Sequence, residues 1–417
     1  MVMRHDQTPS ALSNVPDAEN PRFAEPAALA TARGWVDALA PRTMTETLEL
    51  DAAHGRVLAD AVTLDPPSAS ARRAATNGYA VRAADCVGAS PYNPLSLALL
   101  APGAKRLPEN AGCPIASGWE LPIGADTVLP LDAAQADGTG RLEILDAAPR
   151  GAGIEDLAPA LSLPAGRRLR PQDLGCLAAA GIDRIAVLGR PRVGVLVRGP
   201  KSGPDVLTPM LHALLARDGA VVAAIPLAAD DNAALGPTLG AALCTPALAD
   251  CDLAVLAGRA GAGFDDNVPA QVRAAGGSIV HHGLALRPGG STGLASLPQR
   301  GRTLPLLLLP GDPAGCLAAY DLLAARLVRR FAGITPALPY PVVRLPLAGK
   351  IVSGLGSTDL VPVRLADSHA EPLGGAGLTG AALADGFVLV AEGSEGYAAG
   401  ASVPIHLYCP TMQGIEQ

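Results

Sequence analysis

The chain has 417 residues, and at roughly 150 residues per domain this length predicts two to four domains. Hydrophobic residues make up 49% of the chain and charged residues 17%, which is typical of a folded protein and excludes a largely disordered one. The net charge of −7 argues against a general nucleic-acid binder, because that function needs a basic face. It does not exclude a locally positive site for a small anion.

Neither the cysteines nor the N-terminal segment shows a special signal. The 7 cysteines form no CxxC pair and the 7 histidines are scattered, so we expect free thiols in a reducing compartment and no zinc site. The first residues lack the apolar segment of a secretory signal, and no apolar run reaches the length of a membrane span. A cytoplasmic protein is therefore expected.

The first half of the chain reads as a short helical region followed by a β-rich lobe. Residues 1–22 are polar and predict a flexible tail, and residues 26–39 show helical apolar spacing. Residues 48–149 carry many short β-like runs between Pro and Gly. A helix over 172–180 and a strand over 184–188 are predicted next.

The pattern changes near residue 190. From 190 to 333, apolar strands alternate with helical segments, which predicts a parallel sheet covered by helices. From 334 to 410 short strands and turns return and predict a small barrel or sandwich. The predicted fold class is α/β plus β, in several domains.

Four glycine-bearing turns follow predicted strands of the 190–333 region. Ligands bind at the carboxyl ends of strands in such sheets, and turns of this kind present backbone N–H groups to phosphate or another oxyanion. The alternative is that the glycines only permit tight turns. None of the turns matches the P-loop or the dinucleotide fingerprint. The turns are at 198–203, 257–263, 287–293 and 309–315, and Arg198, Lys201, Arg259 and Arg287 add positive charge to them.

Several motifs follow one another along the chain, at 45–62, 77–83, 115–126, 309–313, 356–364 and 384–393. Among them are Asn-Gly-Tyr-Ala-Val at 77–81 and Leu-Pro-Gly-Asp-Pro at 309–313. In this order they resemble the motifs of the molybdopterin molybdenumtransferases, the family of MoeA and the gephyrin E domain, which has Asp-Gly-Tyr-Ala-Val and Leu-Pro-Gly-Asn-Pro at the two places. The resemblance covers nearly the whole chain.

This resemblance implies a homodimer with four structural regions per chain. Residues 23–47 and 150–189 would form a discontinuous, elongated linker and dimerisation region. Residues 190–333 would be a three-layer molybdopterin-binding α/β domain, and residues 334–410 a small C-terminal β-barrel. The implied reaction inserts molybdate into molybdopterin, starting from adenylylated molybdopterin, with Mg²⁺ as the cofactor. Its protein partners would be other molybdenum cofactor proteins or a molybdoenzyme. Binding to nucleic acid or to a membrane is not expected.

The sequence departs from the family pattern at the turns that would carry the chemistry. Acidic and hydroxyl side chains are lost, and basic ones appear. A site with fewer carboxylates holds Mg²⁺ less well, because this ion prefers oxygen ligands. It can still bind a phosphorylated pterin through its positive charge. The departures lie at Asn77, 198–201, 257–263, 287–291 and 313–315.

The resemblance nevertheless assigns site residues. Asp266 matches the family's acidic position and would be a catalytic residue and the metal ligand. Arg287 would be catalytic and hold molybdate together with the 310–313 turn, and the glycines of the 258–263 turn would contact the pterin phosphate. The candidate cofactor-binding residues are Ser117, Arg198, Gly199, Lys201, Gly258, Arg259, Gly261, Gly263, Gly289, Pro310, Gly311, Asp312 and Pro313.

Three functions remain open from the sequence. The first is a molybdenumtransferase with a rearranged site. The second is a catalytically impaired paralogue that binds molybdopterin or finished cofactor as a carrier, chaperone or partner subunit. The third is a scaffold that kept the fold alone.

Overall fold

The computed structural model describes residues 26–42, 44–64, 72–156, 161–198, 203–227, 238–261, 263, 266–366, 368–374 and 377–409. The chain divides into two compact units. We call residues 44–189 the inserted unit, and the part of the chain on either side of it, 1–43 with 190–417, the main unit. The main unit begins with helix α1 (Leu29–Ala38), whose buried Leu29, Ala32 and Val36 recur at helical spacing.

The inserted unit is mostly β-structure, as the sequence predicts. A six-stranded sheet has the order β7-β4-β6-β5-β9-β8, and three two-stranded pairs, β1-β12, β2-β11 and β3-β10, accompany it. The elements are β1 (Thr45–Glu49), β2 (Val62–Leu64), β3 (Arg72–Ala74), β4 (Gly78–Val81), β5 (Leu95–Leu99), β6 (Ala111–Ile115), β7 (Thr127–Pro130), β8 (Ala134–Ala136), β9 (Arg141–Ile144), β10 (Ile154–Asp156), β11 (Leu161–Leu163), α2 (Pro171–Ala179) and β12 (Arg184–Leu188), with short 3₁₀ turns at Leu50–Ala52 and Ala83–Cys86.

Asp173 fixes the start of α2. Its carboxylate is 2% exposed and accepts hydrogen bonds from the Arg170 backbone N–H at 3.0 Å and from the guanidinium groups of Arg167 and Arg170. The Arg167 hydrogen bond in the first place, and then those of Arg170, hold the pKa of Asp173 well below its usual range. The helix start therefore depends on an ionised carboxylate.

Replacing Asp173 by alanine is expected to lower the free energy of unfolding of the inserted unit by about 2 kcal/mol near pH 7. Since the folded-state pKa is lowered, the stabilisation is complete above the unfolded pKa of about 4 and is lost as pH falls below it. The difference between the two proteins should therefore start to shrink below about pH 5 and keep shrinking past about pH 3, toward the lowered folded-state pKa. Urea denaturation measures this difference. Both proteins carry Trp35→Phe, so that the fluorescence comes from Trp119, which lies in the inserted unit. Glu49→Gln, which removes the exposed Arg184 pair, is the control and should change stability by less than about 0.5 kcal/mol.

The α/β part of the main unit is a six-stranded sheet of order β14-β13-β15-β19-β18-β16 with helices packed on it. Its elements are β13 (Arg192–Val197), α3 (Leu207–Arg217), β14 (Val221–Ala224), α4 (Leu239–Leu243), α5 (Pro246–Ala249), β15 (Leu253–Ala257), α6 (Val268–Ala274), β16 (Ser278–His282), β17 (Leu286–Arg287), β18 (Gly293–Gln299), β19 (Arg302–Leu309), α7 (Pro313–Ala319), a π-helical turn (Tyr320–Ala324) and α8 (Ala325–Phe331).

Both faces of this sheet are buried. Along β15, Leu253, Val255 and Ala257 pack into one core cluster, whereas Ala254 and Leu256 pack into another on the opposite face. Successive side chains of a strand point to opposite faces, so a continuous apolar run suits a strand covered on both sides. This explains why the strands of the region read as unbroken apolar runs.

The prediction of a wholly parallel sheet is wrong at one edge. Strands β14, β13, β15 and β19 are parallel, but β18 is antiparallel to both β19 and β16. Residues Arg300 and Gly301 form a two-residue turn between β18 and β19, and both have positive φ, 44° and 79°. This is the geometry of a tight hairpin, which joins antiparallel strands. Strand β18 was not predicted from the sequence. Residues 287–293 were interpreted as a turn after a strand, and no helix or strand was predicted for the residues that follow them.

The C-terminal part of the main unit is a small barrel, as expected. Strands β23, β22, β24, β26 and β20 pair in that order, and a bridge between Leu347 and Ala370 joins the ends of the series. The elements are β20 (Val342–Pro346), β21 (Ile351–Val352), β22 (Thr358–Ala366), β23 (His369–Pro372), α9 (Leu378–Leu383), β24 (Gly386–Val390), β25 (Gly396–Tyr397) and β26 (Ser402–Leu407). Among the helices that the structure describes, none has the length and apolar character to cross a membrane.

Candidate functional site

The candidate site lies where three parallel strands of the main unit end side by side. Val197 of β13 pairs with Ala257 of β15, and Ala257 pairs with Leu309 of β19. The backbone N–H of Arg198 donates to Ala257 O at 2.8 Å, and that of Gly258 donates to Leu309 O at 3.2 Å. The turns that begin at Arg198, Gly258 and Pro310 therefore start next to one another. This is the edge of the sheet where the sequence predicts ligand binding.

Gly258 allows these turns to approach closely. It has φ +90°, and a Cβ at this position would overlap the carbonyl oxygen of Arg198. A Cβ added at Gly311 would lie 3.3 Å from the Gly258 Cα atom. The glycines thus let backbone pack on backbone, which leaves no room here for larger residues.

Replacing Gly258 by alanine is expected to destabilise the main unit by about 2–4 kcal/mol, because left-handed strain and overpacking both contribute. Gly276→Ala is the matched control, since Gly276 has a similar φ of +84° and no neighbour within 4 Å of its added Cβ. The control should lose only the strain, about 1–2 kcal/mol. Urea denaturation compares the two, and equal losses would contradict the close packing at Gly258.

Asp266 organises the turn after β15. Its Oδ2 accepts a hydrogen bond from the Gly263 backbone N–H at 2.7 Å, and its own N–H donates to Gly263 O at 3.1 Å. A Cβ at Gly261 would come within 2.7 Å of the same carboxylate oxygen, and one at Gly263 within 3.0 Å. The two glycines, for which the family resemblance predicts phosphate binding, make room for the carboxylate of Asp266.

Two arginines accompany this turn. Arg198 is 2% exposed, and its Nη1 donates to Asn267 Oδ1 at 3.1 Å. Arg259 has φ +53°, and its carbonyl oxygen accepts from the Val268 N–H. The hydrogen bond to Asn267 thus fixes the Arg198 guanidinium next to the start of α6. Sequence reasoning did not single out Asn267, although it directly follows Asp266.

The turn after β19 is fixed by Asp312. Its Oδ1 accepts from the Gly315 N–H at 2.6 Å as the N-cap of α7, and Pro313 occupies the first turn of the helix. Burial in the first place, and then the charge of Asp312, raise the pKa of the Cys316 thiol to about 12. This cysteine is therefore a neutral thiol near pH 7 and no nucleophile.

Arg287 has a protein partner. Its Nε and Nη2 donate to the two carboxylate oxygens of Asp359 at 2.8 and 3.0 Å, and Asp359 also accepts from Ser353 Oγ at 2.8 Å. Strand β17, which carries Arg287, pairs in parallel with β22 of the barrel. The predicted molybdate ligand is thus the cation of a bidentate ion pair, which the sequence could not show because Asp359 is distant in the chain.

The 287–293 loop also approaches the other turns. A Cβ added at Gly261 would lie 3.2 Å from the Cβ of Ser291, and one at Gly289 would lie 3.3 Å from Gly315 O. The structure therefore brings together Gly261, Gly289, Gly315 and Ser291. Ser291 supplies a hydroxyl beside the Asp266 turn, and sequence reasoning gave it no role.

Ser117 belongs to the inserted unit and is exposed. Its N–H donates to Asn77 Oδ1 at 2.9 Å, and its Oγ donates to Ala75 O at 3.2 Å. The amide of Asn77 thus makes the backbone contact that the family's aspartate could make, without the charge. Gly199 and Lys201 lie outside the described residues.

The main unit therefore contains an α/β domain with a cluster of glycine turns at its strand ends, the buried Arg198 and the carboxylate of Asp266, an arrangement that suits anionic ligands. Three family models match the chain: "MoeA N-terminal region (domain I and II)" over residues 27–181, "Probable molybdopterin binding domain" over 185–330, and "MoeA C-terminal region (domain IV)" over 344–408. The chain belongs to the MoeA family.

Individual proteins agree with this assignment. The molybdopterin molybdenumtransferase of Nostoc sp. is 28% identical over 70% of each chain, and that of Bacillus subtilis is 24% identical over 87% of this chain and 90% of its own. The crystal structure of the molybdopterin biosynthesis MoeA protein from Pyrococcus horikoshii superposes with a TM-score of 0.72 at 25% identity, over 93% of this chain and 100% of that one. The expected fold and family are thereby confirmed.

Proposed function

We propose that this protein is a molybdopterin molybdenumtransferase, which inserts molybdate into molybdopterin during molybdenum cofactor biosynthesis and starts from the adenylylated pterin. The observation that carries the proposal is the meeting of the 198, 258–263 and 310–313 turns at the strand ends of a domain matched as molybdopterin binding. The names of the relatives favour a transferase over the non-catalytic carrier or scaffold.

The substrate's phosphates would lie against the turn after β15, where Arg198 and Arg259 supply positive charge. Two backbone donors of this cluster are already used, because Gly258 donates to Leu309 O and Gly263 to Asp266. The arginines would therefore contribute to phosphate binding in a way that these two backbone groups do not. Molybdate would bind at the 310–313 turn, and Arg287 would reach it by exchanging one oxygen of Asp359 for one of molybdate.

Asp266 is the candidate ligand for Mg²⁺. The described residues contain no group of three or more His, Cys, Asp or Glu that could hold a metal. Mg²⁺ in phosphate chemistry is commonly held by one or two carboxylates together with the substrate's phosphates, so the Asp266 carboxylate beside the phosphate turn fits it. When bound there, the ion would neutralise phosphate charge. The chain's own part is to hold Asp266 in place through Gly263.

A homodimer in the cytoplasm is part of the proposal. Ser117 would then contact the ligand from the second subunit, as the family resemblance implies. Sedimentation of the purified protein tests the dimer directly, and a monomer at micromolar concentration would contradict it.

The reaction itself is tested by incubating the protein with adenylylated molybdopterin, molybdate and Mg²⁺ and following AMP release. We expect release that requires molybdate and is stimulated by Mg²⁺. Sulfate in place of molybdate is the control for a general anion effect. Tight binding of the pterin without AMP release, at enzyme concentrations equal to the substrate, would overturn the transferase proposal in favour of a carrier.

A further inference from the structure

A cavity of about 370 Å³ lies in the main unit, lined by residues of α1, the helical segment 320–331, the following 336–342 segment and the barrel strands β24 and β26. One part of its lining is apolar, with Leu322, Leu338 and Leu389. Another part is basic, with Arg33 and Arg329. Its volume is in the range of small-molecule sites, which typically combine an apolar lining with a few polar groups.

Two buried polar atoms of the lining residues lack partners. Arg329 is 2% exposed; its Nη1 donates to Asp218 at 3.0 Å and its Nη2 to Pro336 O at 3.3 Å. Its Nε, and Nδ1 of His406, have no hydrogen-bond partner among the residues that the structure describes. Both atoms are almost wholly inaccessible, so a ligand in the cavity would not contact them directly, but they mark a lining whose polar groups are incompletely satisfied.

Among the residues that the structure describes, the positive charges around the cavity outnumber the negative ones. Three arginines and one aspartate line the cavity: Arg33, Arg326, Arg329 and Asp321. Together with Arg217, which pairs with Asp321, there are four arginines, and their ion pairs involve three carboxylates, those of Asp37, Asp218 and Asp321. Arg330 shares Asp37, so the excess of positive charge is larger still. Within the described part of the chain, Arg33 makes one hydrogen bond, from Nε to Leu322 O at 3.2 Å.

The pKa of Arg33 reflects the same excess of positive charge. Burial, followed by repulsion from Arg326, lowers the pKa of the Arg33 guanidinium below its ordinary value. Burial likewise lowers the pKa of His406, whose ring stacks on Phe387 at a centroid distance of 5.0 Å. The histidine is then neutral near pH 7 and adds a polar contact without charge.

We propose that this cavity is a second binding site, separate from the strand-end turns, for a small organic carboxylate. Its carboxylate would accept hydrogen bonds from the guanidinium of Arg33, which forms no ion pair among the described residues, and its apolar body would lie against Leu338 and Leu389. An inorganic oxyanion matches the site less well, because it would leave the apolar lining uncovered.

Hexanoate is a suitable probe, and calorimetric titration of the purified full-length protein measures its binding. We expect one hexanoate per chain, about tenfold weaker binding to Arg33→Gln, and none to Ala337→Phe, which fills the cavity from an exposed loop position. Arg273→Gln is the matched control, because Arg273 is an exposed helical arginine outside the cavity, and it should bind hexanoate like the wild type. Circular dichroism checks that the variants fold.

Hexanol, which has the same chain without the charge, and sulfate, which has charge without the chain, should not bind. Hexanoate binding that survives Ala337→Phe would overturn the proposal, as would sulfate binding of equal strength or no heat of binding up to about 10 mM hexanoate. AMP release is measured separately, so failure of this site and failure of the transferase proposal are distinguishable.

Discussion

Replacing Asp218 by asparagine is expected to lower the free energy of unfolding of the main unit by about 3–5 kcal/mol. Asp218 is 1% exposed, and its carboxylate receives hydrogen bonds from Arg217 at 2.8 Å, Tyr320 at 3.0 Å and Arg329 at 3.0 Å. Removing one partner of a buried ion pair leaves the opposite charges uncompensated, which costs more than the pair itself contributes.

The surrounding groups cannot replace this carboxylate. Arg217 also bonds to Asp321 at 2.8 Å, and Tyr340 donates to Asp321 at 2.8 Å. Burial raises the pKa of Asp321 above its ordinary value, although Arg217 opposes this shift. A loss of Asp218 would therefore leave the buried Arg329 without its carboxylate partner, and Arg217 with Asp321, a carboxylate that is itself unfavourably placed.

Urea denaturation of Trp119→Phe proteins tests this prediction, because the remaining tryptophan, Trp35, packs against the same core and reports on the main unit. Asp250→Asn is the control. It removes an ion pair with Arg300 in which both side chains are about 60% exposed, and we expect a change below about 1 kcal/mol. A loss at Asp218 no larger than at Asp250 would show that the buried network is not a stabilising unit.

Local features of the fold are predictable from the sequence, and non-local ones are not. The predicted strand over 184–188 and the helix over 172–180 agree with β12 and, within one residue, with α2, since apolar period and capping are encoded nearby. Strand β18 was missed because a hairpin at Arg300 and Gly301 lacks the usual Asn-Gly signal. Pairing partners across the chain carry no local signal.

The candidate site shows the same limit. Glycine turns at the ends of β13, β15 and β19 could be recognised, because each follows an apolar run. The Asp359 partner of Arg287, the Asn267 partner of Arg198 and the position of Ser291 beside Gly261 depend on three-dimensional proximity. The sequence shows that acidic and hydroxyl residues are lost from the site, but this loss does not give the net charge of the site. The charge of Arg287, for example, is neutralised by Asp359, which lies far away in the sequence.

Replacing Asp266 by alanine is expected to reduce molybdate-dependent AMP release at least about 100-fold, because it removes both the proposed metal ligand and the acceptor that holds Gly263. Asp266→Asn separates these two roles. An amide oxygen can still accept from the Gly263 N–H, but it is neutral and a poorer ligand for Mg²⁺. If the carboxylate charge matters, the asparagine variant should be nearly as inactive as the alanine variant.

The Mg²⁺ dependence of the rate distinguishes a ligand from a residue that only positions the turn. Loss of a ligand should raise the Mg²⁺ concentration for half-maximal rate in Asp266→Asn, whereas loss of positioning would lower the maximal rate and leave that concentration unchanged. Asp252→Asn is the matched control, because Asp252 precedes the same strand at its opposite end, where it accepts from the Arg192 N–H at 2.7 Å. Wild-type activity in Asp266→Asn would remove Asp266 from the chemistry and leave it as a residue that shapes the turn through Gly263.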